Sequence, residues 1–301
     1  MKSIYPDGSY FFNSQVFYQS NFKINELTKI FRQSDKSFID LLNKFRIAKV
    51  NDQDLAQINQ RYQGPGFKVP KGVILLSTTN AKVDKINNSK LAELDSKHFE
   101  YEGSIKGDFK EKDCPSPETL KLKVGAQVML TQNDVGNEPR RWSNGTLAII
   151  HELKPNSISI KIKDEVFVLG KSRWDKIQFT VASDEIKRKV VATFSQYPLK
   201  LAWASTIHKS QGQTFEKVAI DLDRGSFAHG QTYVALSRAK SMEGIYLVRK
   251  IAYKDLIFDE KVFDFLGQDL EAKNMKQVTK KNEASEYASN LPYDEDYNQD
   301  S

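Results

Sequence analysis

Side chains that hold metals or form covalent cross-links are scarce in this sequence. Cys114 is the only cysteine among 301 residues, which excludes intrachain disulfides and zinc clusters built from cysteine. The four histidines are scattered, at positions 98, 151, 208 and 229, and form no metal-binding motif. We therefore expect no catalytic metal held by histidine.

Long apolar runs are also missing. No run approaches the ~18 residues that cross a bilayer. The first six residues contain neither an apolar secretory core nor an Arg/Ser-rich presequence. We therefore expect a cytoplasmic protein with no membrane partner.

The net charge of the chain is +6, and its charged residues are unevenly distributed. Residues 282–301 contain six acidic residues and no lysine or arginine, so the other 281 residues carry 45 basic against 33 acidic groups. A basic body is typical of proteins that bind a polyanion, because neutralising phosphates releases counterions. Many basic proteins bind no nucleic acid, so charge alone does not decide the function.

The first 97 residues begin with a helical pattern. Apolar residues recur at helical spacing over 38–45, and Ser34 is placed to cap that helix. A second short helix is predicted after Asn51. A continuous apolar run at 73–77 then predicts a strand buried on both faces, followed at once by a capped helix. A strand that runs directly into a helix is typical of an α/β sheet.

Between residues 98 and 196 the apolar period changes to two. The strand candidates are 125–131, 145–151, 157–162, 165–169 and 189–194, and Asn144-Gly145 is a strong turn dipeptide. Short, evenly spaced strands predict a small β-barrel inserted into the α/β domain. The α/β pattern returns over 197–270, with strands at 218–220 and 244–248 and helices near 200–210, 230–238 and 253–266. The polar, acidic tail at 271–301 is predicted to be disordered.

Two segments carry side chains suited to phosphate chemistry. On a helix over 200–210, Ser205, His208 and Lys209 would share one face that ends at Gly212 and could bind phosphates without reading base sequence. Arg238, near the end of its predicted helix, could stabilise charge on a transferring phosphate, an effect of roughly 10³–10⁵ in rate. Taken singly, each feature also fits a plainer alternative: a solvated helix face, or an arginine bound to its own helix carbonyls.

Three segments taken together resemble a known family. Residues 26–33, 201–215 and 230–240, in this order and with a strand-rich insert between the first two, resemble the C-terminal half of superfamily-one DNA helicases of the PIF (petite integration frequency) type, relatives of RecD. The resemblance extends to the segments 77–81, 122–130 and 141–146. It implies a RecA-like motor lobe, a parallel sheet with flanking helices, that carries an inserted small Src-homology-type β-barrel.

The resemblance also implies roles for individual residues. Arg32 and Arg238 would be the arginines of the fourth and sixth helicase motifs, both directed at the γ-phosphate of ATP. The other residues linked to the nucleotide would be Gln33, Gly212 and Gln231. Contacts to single-stranded DNA would come from Thr79, Asn80, Thr206, His208, Lys209, Ser210 and Gln211. Arg140, Arg141 and Trp142 could contact DNA through charge and stacking, although Trp142 fits a position in the barrel core equally well.

The first half of this family is not found in the 301 residues. There is no Gly-x-x-x-x-Gly-Lys-Ser/Thr loop to cradle phosphates and no strand ending in paired carboxylates to bind Mg²⁺ at the place where the family has them. The sequence is thus expected to begin at a domain border. We expect ATP and Mg²⁺ to be bound, and DNA to be unwound 5′→3′, only when an N-terminal ATP-binding half completes the chain, covalently or as a partner.

Three interpretations remain open at this point. The first is a helicase fragment or split-helicase subunit. The second is a non-enzymatic module that binds single-stranded DNA as the motor does but does not hydrolyse ATP. The third is a decayed gene product. Substitution of Arg32 and Arg238 discriminates between the first two, because a binding module would be indifferent to both changes.

Overall fold

A computed structural model of the chain describes residues 10–20, 22–23, 25, 30–110, 113–182, 185–262, 264–265 and 267. The chain divides into two units: residues 30–257 form the larger one, and residues 1–29 with 258–301 form the smaller one. The predicted disordered tail lies outside the described residues, and the predicted domain limits at 97 and 196 stay predictions. No helix in the described ranges has the length and apolar character needed to cross a membrane.

The secondary structure mixes short helices with many strands. The helices are α1 (Gln15–Gln19), α2 (Lys36–Arg46), α3 (Asp52–Asn59), α4 (Asn80–Ala92) and α5 (Gln231–Leu236). The strands are β1 (Ile74–Ser77), β2 (His98–Glu102), β3 (Ser104–Gly107), β4 (Thr119–Lys123), β5 (Gln127–Leu130), β6 (Leu147–Lys154), β7 (Ser157–Ile162), β8 (Glu165–Leu169), β9 (Ser172–Ala182), β10 (Glu185–Gln196), β11 (Leu199–Leu201), β12 (Ala204–Thr206), β13 (Val218–Asp221) and β14 (Ile245–Leu247).

A four-stranded parallel sheet forms the centre of the larger unit, in the order β12-β1-β13-β14. Ile74 and Ile220 belong to an apolar cluster that includes residues of α2, α3 and α5. Leu75 and Ala219 belong to a second cluster with Val83 of α4. Because the sheet is covered on both faces, its strands appear in the sequence as continuous apolar runs. The predicted α/β fold with a parallel sheet is therefore confirmed.

The helix starts follow from local hydrogen bonds. Asp35, not the predicted Ser34, caps α2: its carboxylate accepts hydrogen bonds from the backbone N–H groups of Ser37 at 2.8 Å and Phe38 at 3.4 Å. The short helix predicted after Asn51 is α3, and Asn51 caps it. Thr79 is the N-cap of α4 but makes no capping hydrogen bond with its side chain. A carboxylate is a strong cap because it also interacts favourably with the helix dipole.

The predicted helix near 200–210 is wrong. This segment forms β11, then β12, then a single 3₁₀ turn at His208–Ser210. The Leu75 N–H donates to the Trp203 carbonyl and the Ile207 N–H donates to the Ser77 carbonyl, both at 2.9 Å. Pairing with a distant strand thus overrides the local helical spacing, because buried backbone groups must find partners.

The predicted helix over 253–266 is also only partly correct. Tyr253–Asp255 is a 3₁₀ turn, and helical residues begin again at Glu260. The buried carboxylate of Asp255 accepts from the Ala252 N–H at 2.9 Å and from Arg249. These bonds close the turn on itself, so the first part of the predicted helix does not continue.

Three further sheets lie between β1 and β12 in the chain. A five-stranded antiparallel sheet has the order β11-β5-β6-β7-β8, a three-stranded sheet has the order β3-β10-β9, and β2 pairs with β4. The predicted strands at 157–162 and 165–169 coincide with β7 and β8, whereas 189–194 is only part of the long strand β10. β2, β3, β4 and β9 had not been predicted. Closure of these sheets into a barrel stays a prediction.

The smaller unit contains a cluster of aromatic rings. The ring of Phe12 stacks on that of Phe265, with centroids 4.5 Å apart, and Tyr10 stacks on Phe12 at 4.9 Å. The Tyr10 hydroxyl donates to the Asp259 carboxylate. Residues 10–12 and residues 259–265 are therefore held together by stacking and by a hydrogen bond.

Candidate functional site

Arg238 lies two residues after the end of α5 and is 6% exposed. Its guanidinium donates to the Val234 carbonyl at 2.8 Å, to the Gln213 carbonyl at 3.1 Å and to the Ser237 hydroxyl at 2.8 Å. The bond to Val234 is the one expected of an arginine that caps its own helix. The bond to Gln213 joins it to a segment 25 residues away, so the side chain does more than cap.

No carboxylate forms an ion pair with Arg238 in the described part of the chain. Burial, followed by the charge of Arg32, lowers the pKa of Arg238 to about 10. The group is still protonated at neutral pH. An anion placed between the two guanidinium groups would relieve their repulsion, and this is an arrangement that favours binding of a phosphate.

Arg32 and Gln33 reach the same loop from the other side. Arg32 donates to the Thr214 hydroxyl at 2.8 Å and to the Ser237 carbonyl at 3.1 Å. Gln33 is 7% exposed and donates to the carbonyls of Ser237 at 3.2 Å and Ala239 at 2.9 Å. Ser237 therefore holds both arginines, one through its carbonyl and one through its hydroxyl.

Arg32, Gln33, Ser237 and Arg238 form an arginine cluster, and an open cavity of about 490 Å³ is lined by its first three members but not by Arg238. Its lining includes Thr214 and Tyr233, which sequence reasoning had assigned no role. Both stand inside segments that carried the family resemblance. Their position in the cavity lining follows only from the fold, since Thr214 lies 182 residues from its partner Arg32.

Gly212 and Gln231, the other two residues predicted to be linked to the nucleotide, are placed differently. Gly212 has a φ of +80°, which favours glycine, and lies in the turn that leads to Gln213. Gln231 is 2% exposed and begins α5, and its side-chain oxygen accepts from the Phe227 N–H at 3.0 Å. Its link to the nucleotide stays a prediction.

Seven of the residues predicted to contact DNA lie at or just after the ends of β1 and β12 in the parallel sheet. β1 and β12 are neighbours, with Ser77 opposite Thr206. The segments that follow these two strands therefore leave the sheet side by side. Their exposed side chains are Thr79, Asn80, His208, Lys209 and Gln211.

Two of the predicted DNA contacts are buried instead. The Thr206 hydroxyl accepts from the Lys209 N–H at 3.3 Å, and the Ser210 hydroxyl donates to the Ile207 carbonyl at 2.7 Å. Ser210 has no exposed surface and Thr206 is 5% exposed. Their hydroxyl groups shape the turn that presents His208 and Lys209. Whether they also reach DNA stays a prediction.

The arginine cluster is joined to this edge through the backbone. Arg238 donates to the carbonyls of Ser210 at 3.4 Å and Gln213 at 3.1 Å. These carbonyls lie on either side of Gln211 and Gly212. A displacement of the guanidinium group would therefore act directly on the turn that carries the predicted DNA contacts.

Arg141 and Trp142 lie in the strand-rich part of the larger unit. Arg141 makes two hydrogen bonds of 2.8 Å to the Asp134 carboxylate and lies over the Trp142 ring, 4.4 Å from its centroid. Hydrogen bonds from the Arg141 side chain lower the pKa of Asp134 to about 2. Trp142 is 8% exposed within the apolar cluster of this region, which favours the core alternative for the indole. Arg140 is exposed.

Groups of acidic and histidine side chains that could hold a metal ion do not occur within the described ranges. Asp221 and Asp223, at the end of β13, both pair with Lys82, at 2.7 Å and 3.1 Å. Their charge is thereby partly compensated within the chain.

Comparison with known proteins identifies relatives of the chain. The ATP-dependent DNA helicase Pif1 of Bdellovibrio bacteriovorus is 32% identical over 265 residues, which cover 85% of this chain and 57% of that protein. Bacteroides sp Pif1 in complex with ADP-AlF4 matches with a TM-score of 0.77 and 35% identity, over 89% of this chain and 61% of that one. Bacteroides Pif1 bound to ssDNA matches with a TM-score of 0.61 and 35% identity, over the same shares. No family model matches.

The parallel sheet with its flanking helices defines an α/β protein similar to the RecA-like domain of a DNA helicase. More narrowly, the chain is a homologue of the Pif1 helicases, as the resemblance of its three segments predicted. It spans 57% of the length of the Bdellovibrio relative.

Proposed function

We propose that the chain is the C-terminal lobe of an ATP-dependent 5′→3′ DNA helicase. The observation that carries the proposal is the shared anchorage of Arg32 and Arg238 on Ser237, with Arg238 also bonded to the carbonyls of the 210–213 turn. Two cations that have no carboxylate partner among the described residues suit a γ-phosphate, and their hydrogen bonds to the turn suit a motor that couples nucleotide to DNA. The names of its Pif1 relatives, which are ATP-dependent DNA helicases, support this assignment.

ATP and Mg²⁺ would be held mainly by an N-terminal ATP-binding half, since these 301 residues contain no phosphate-binding loop motif. When bound, the nucleotide and its ion would supply the phosphoryl group and the charge neutralisation for hydrolysis. Arg32 and Arg238 would donate hydrogen bonds to the γ-phosphate across the cleft. The chain alone is expected neither to hydrolyse ATP nor to unwind DNA.

Single-stranded DNA would run along the edge where β1 and β12 end. The exposed donors Thr79, Asn80, His208 and Lys209 can bind phosphates without reading bases, and a Pif1 relative has been seen bound to ssDNA. We assign the strands between 98 and 196 to the small inserted Src-homology-type barrel. Arg140 would be its exposed DNA contact, while Arg141 and Trp142 hold the loop in place.

The test is DNA-stimulated ATPase activity, measured on the purified chain and on the chain joined to a matching N-terminal ATP-binding half. We expect no activity from the chain alone and activity from the joined protein. Arg32→Ala and Arg238→Ala should each abolish that activity while leaving affinity for a single strand within about threefold. Arg46→Ala is the control, because Arg46 is an exposed arginine at the end of α2.

Two outcomes would contradict the proposal. ATPase activity of the chain alone that disappears in Arg238→Ala would reveal a nucleotide site within these residues. Joined protein that binds single-stranded DNA, lacks ATPase activity and is unaffected by both substitutions would instead support a non-enzymatic binding module.

A further inference from the structure

The strands β9 and β10 form an antiparallel ribbon that extends beyond its own sheet. Their pairing runs from Ser172↔Gln196 to Ala182↔Glu185, whereas β3 pairs with β10 only from Ser195 to Ala192. From Val191 outward to Glu185, the ribbon therefore has no third strand among the described residues. Two strands alone are marginally stable in water and present unpaired backbone groups on both edges.

The register divides this outer part into two unlike faces. Lys187 lies opposite Thr180 and Lys189 opposite Gln178, so these four side chains share one face. All four are exposed. These four side chains present two ammonium groups, a hydroxyl and an amide, and the same register places Glu185, opposite Ala182, at the outer end of this face.

The opposite face is mainly apolar. Arg188 lies opposite Phe179 and Val190 opposite Ile177. Phe179 is 65% exposed and Ile186 is 74% exposed. The charge of Arg188 acts on Asp175, whose pKa is lowered chiefly by hydrogen bonds from Arg173 and Thr193.

Lys187 and Lys189 form no ion pair within the part of the chain that the structure describes. Two other basic residues of the ribbon do: Arg173 pairs with Asp175 at 2.8 Å, and Lys176 with Asp113 at 4.0 Å, whereas Arg188 on the opposite face has no ion pair in the described residues either. On an extended strand the two lysines stand roughly 7 Å apart. Two solvated cations flanked by hydrogen-bond donors suit successive phosphates of a nucleic-acid backbone.

We infer that the Lys187–Lys189 face of the ribbon is a second DNA-contact surface, which takes the phosphate backbone of duplex DNA. Duplex is favoured over a single strand for two reasons. A two-stranded ribbon has the width to enter the major groove, and this face has no aromatic ring on which unpaired bases could stack. The inference rests on the proposed function only in taking DNA as the polyanion.

The test is binding of the 301-residue chain, without nucleotide, to a labelled 20-base-pair duplex and to one of its single strands, by fluorescence anisotropy across a salt series. The variant is Lys187→Ala with Lys189→Ala. We expect its duplex affinity to fall about tenfold and the salt slope of duplex binding to drop by about 2, because two phosphate contacts are lost. Affinity for the single strand should stay within twofold.

Three controls make the result decisive. Lys68→Ala with Lys71→Ala removes the same charge from exposed positions before β1 and should leave duplex affinity within about twofold. Lys187→Arg with Lys189→Arg keeps the charge and should bind duplex like the wild type. Phe179→Ser alters the opposite face and should have little effect.

Any of three results would overturn the inference. The Lys68/Lys71 control could lose as much duplex affinity, single-strand affinity could fall equally, or the loss of duplex affinity could be confined to Phe179→Ser. Absence of duplex binding by the wild type would do the same. None of these results bears on the ATPase activity of the joined protein, which decides the proposed function separately.

Discussion

Two arginines of this chain, Arg238 beside the parallel sheet and Arg141 in the strand-rich region, are held in opposite ways. Arg141 meets the Asp134 carboxylate through two hydrogen bonds of 2.8 Å, so its charge is compensated within the fold. Arg238 is more buried, yet its partners are carbonyl and hydroxyl oxygens, with a second arginine nearby.

The difference separates a structural cation from one suited to a ligand. A buried charge is costly unless it is paired, and the Arg141–Asp134 pair meets that need by itself. The guanidinium of Arg238 is oriented by neutral acceptors and retains an uncompensated charge. Such a group is available to an incoming anion, and this contrast carries the proposal of a phosphate-facing role more firmly than burial alone.

The largest expected effect comes from Arg238→Lys in the chain joined to its ATP-binding half. Lysine keeps the charge but cannot donate in a fork to Val234, Gln213 and Ser237 together. DNA-stimulated ATPase activity should therefore fall about 10³-fold, as measured by steady-state kinetics. Arg46→Lys is the matched control and should be unchanged. Activity of Arg238→Lys within twofold of wild type would show that charge alone suffices and that the carbonyl anchorage is incidental.

The next effect concerns the compensated arginine. Asp134→Asn removes the charge from a buried carboxylate and leaves Arg141 unpaired. We expect a loss of about 2–3 kcal/mol in the free energy of unfolding, less than for a fully buried pair because Arg141 is partly exposed to solvent. Urea denaturation measures it as a lower midpoint at unchanged slope. Arg140→Ala, a change at the exposed neighbour, should stay within 0.5 kcal/mol. An equally small loss of stability for Asp134→Asn would contradict a structural role of the pair.

The same pair should make stability depend on pH at the acid end. The pKa of Asp134 is about 2 in the folded chain, against an ordinary value of 3.8. A depressed pKa gives stability that is complete above about pH 4 and is lost as the pH falls towards 2, here about 2 kcal/mol. The free energy of unfolding of the wild type, measured by circular dichroism from pH 5 to pH 2, should fall more steeply with pH in this window. The difference between wild type and Asp134→Asn should shrink as the pH falls, and a constant difference would contradict the assignment.

The sequence predicted those elements of the fold that are determined locally. The run at 73–77 is apolar because β1 is covered on both faces, and the spacing over 38–45 follows from one buried face of α2. The helix predicted near 200–210 was wrong because its helical spacing was real but weaker than pairing with β1. The apolar pattern does not predict the strand β9, because charged residues interrupt its apolar ones.

The site was predicted in part, and through family resemblance rather than from physical pattern alone. Arg32, Gln33 and Arg238 do meet in the structure. The place of Ser237 between the two arginines could not be read from the sequence, because it depends on bringing residues about 200 positions apart to the same loop. Likewise, nothing in the sequence marks Asp134 as the partner that makes Arg141 structural.

The smallest expected effect, an excess of about 1 kcal/mol, lies where the two regions meet. Gly145, in the turn before β6, has a φ of +93°, and a Cβ added there would lie 2.9 Å from Cγ of Gln213, whose carbonyl holds Arg238. Gly145→Ala should therefore cost backbone strain plus a steric clash. Gly136→Ala isolates the strain, because Gly136 has a φ of +84° with no atom within 4 Å of an added Cβ. We expect about 1–2 kcal/mol for Gly136→Ala and about 1 kcal/mol more for Gly145→Ala, by urea denaturation.

Shortening Gln213 tests whether that excess arises from the contact between the regions. With Gln213→Ala in place, the Cγ atom is gone and the further cost of Gly145→Ala should fall to that of Gly136→Ala. Such a coupling of about 1 kcal/mol would mean that the turn of the strand-rich region and the support of Arg238 are not independent. Additive costs would mean that the two arginines occupy separate regions that merely touch.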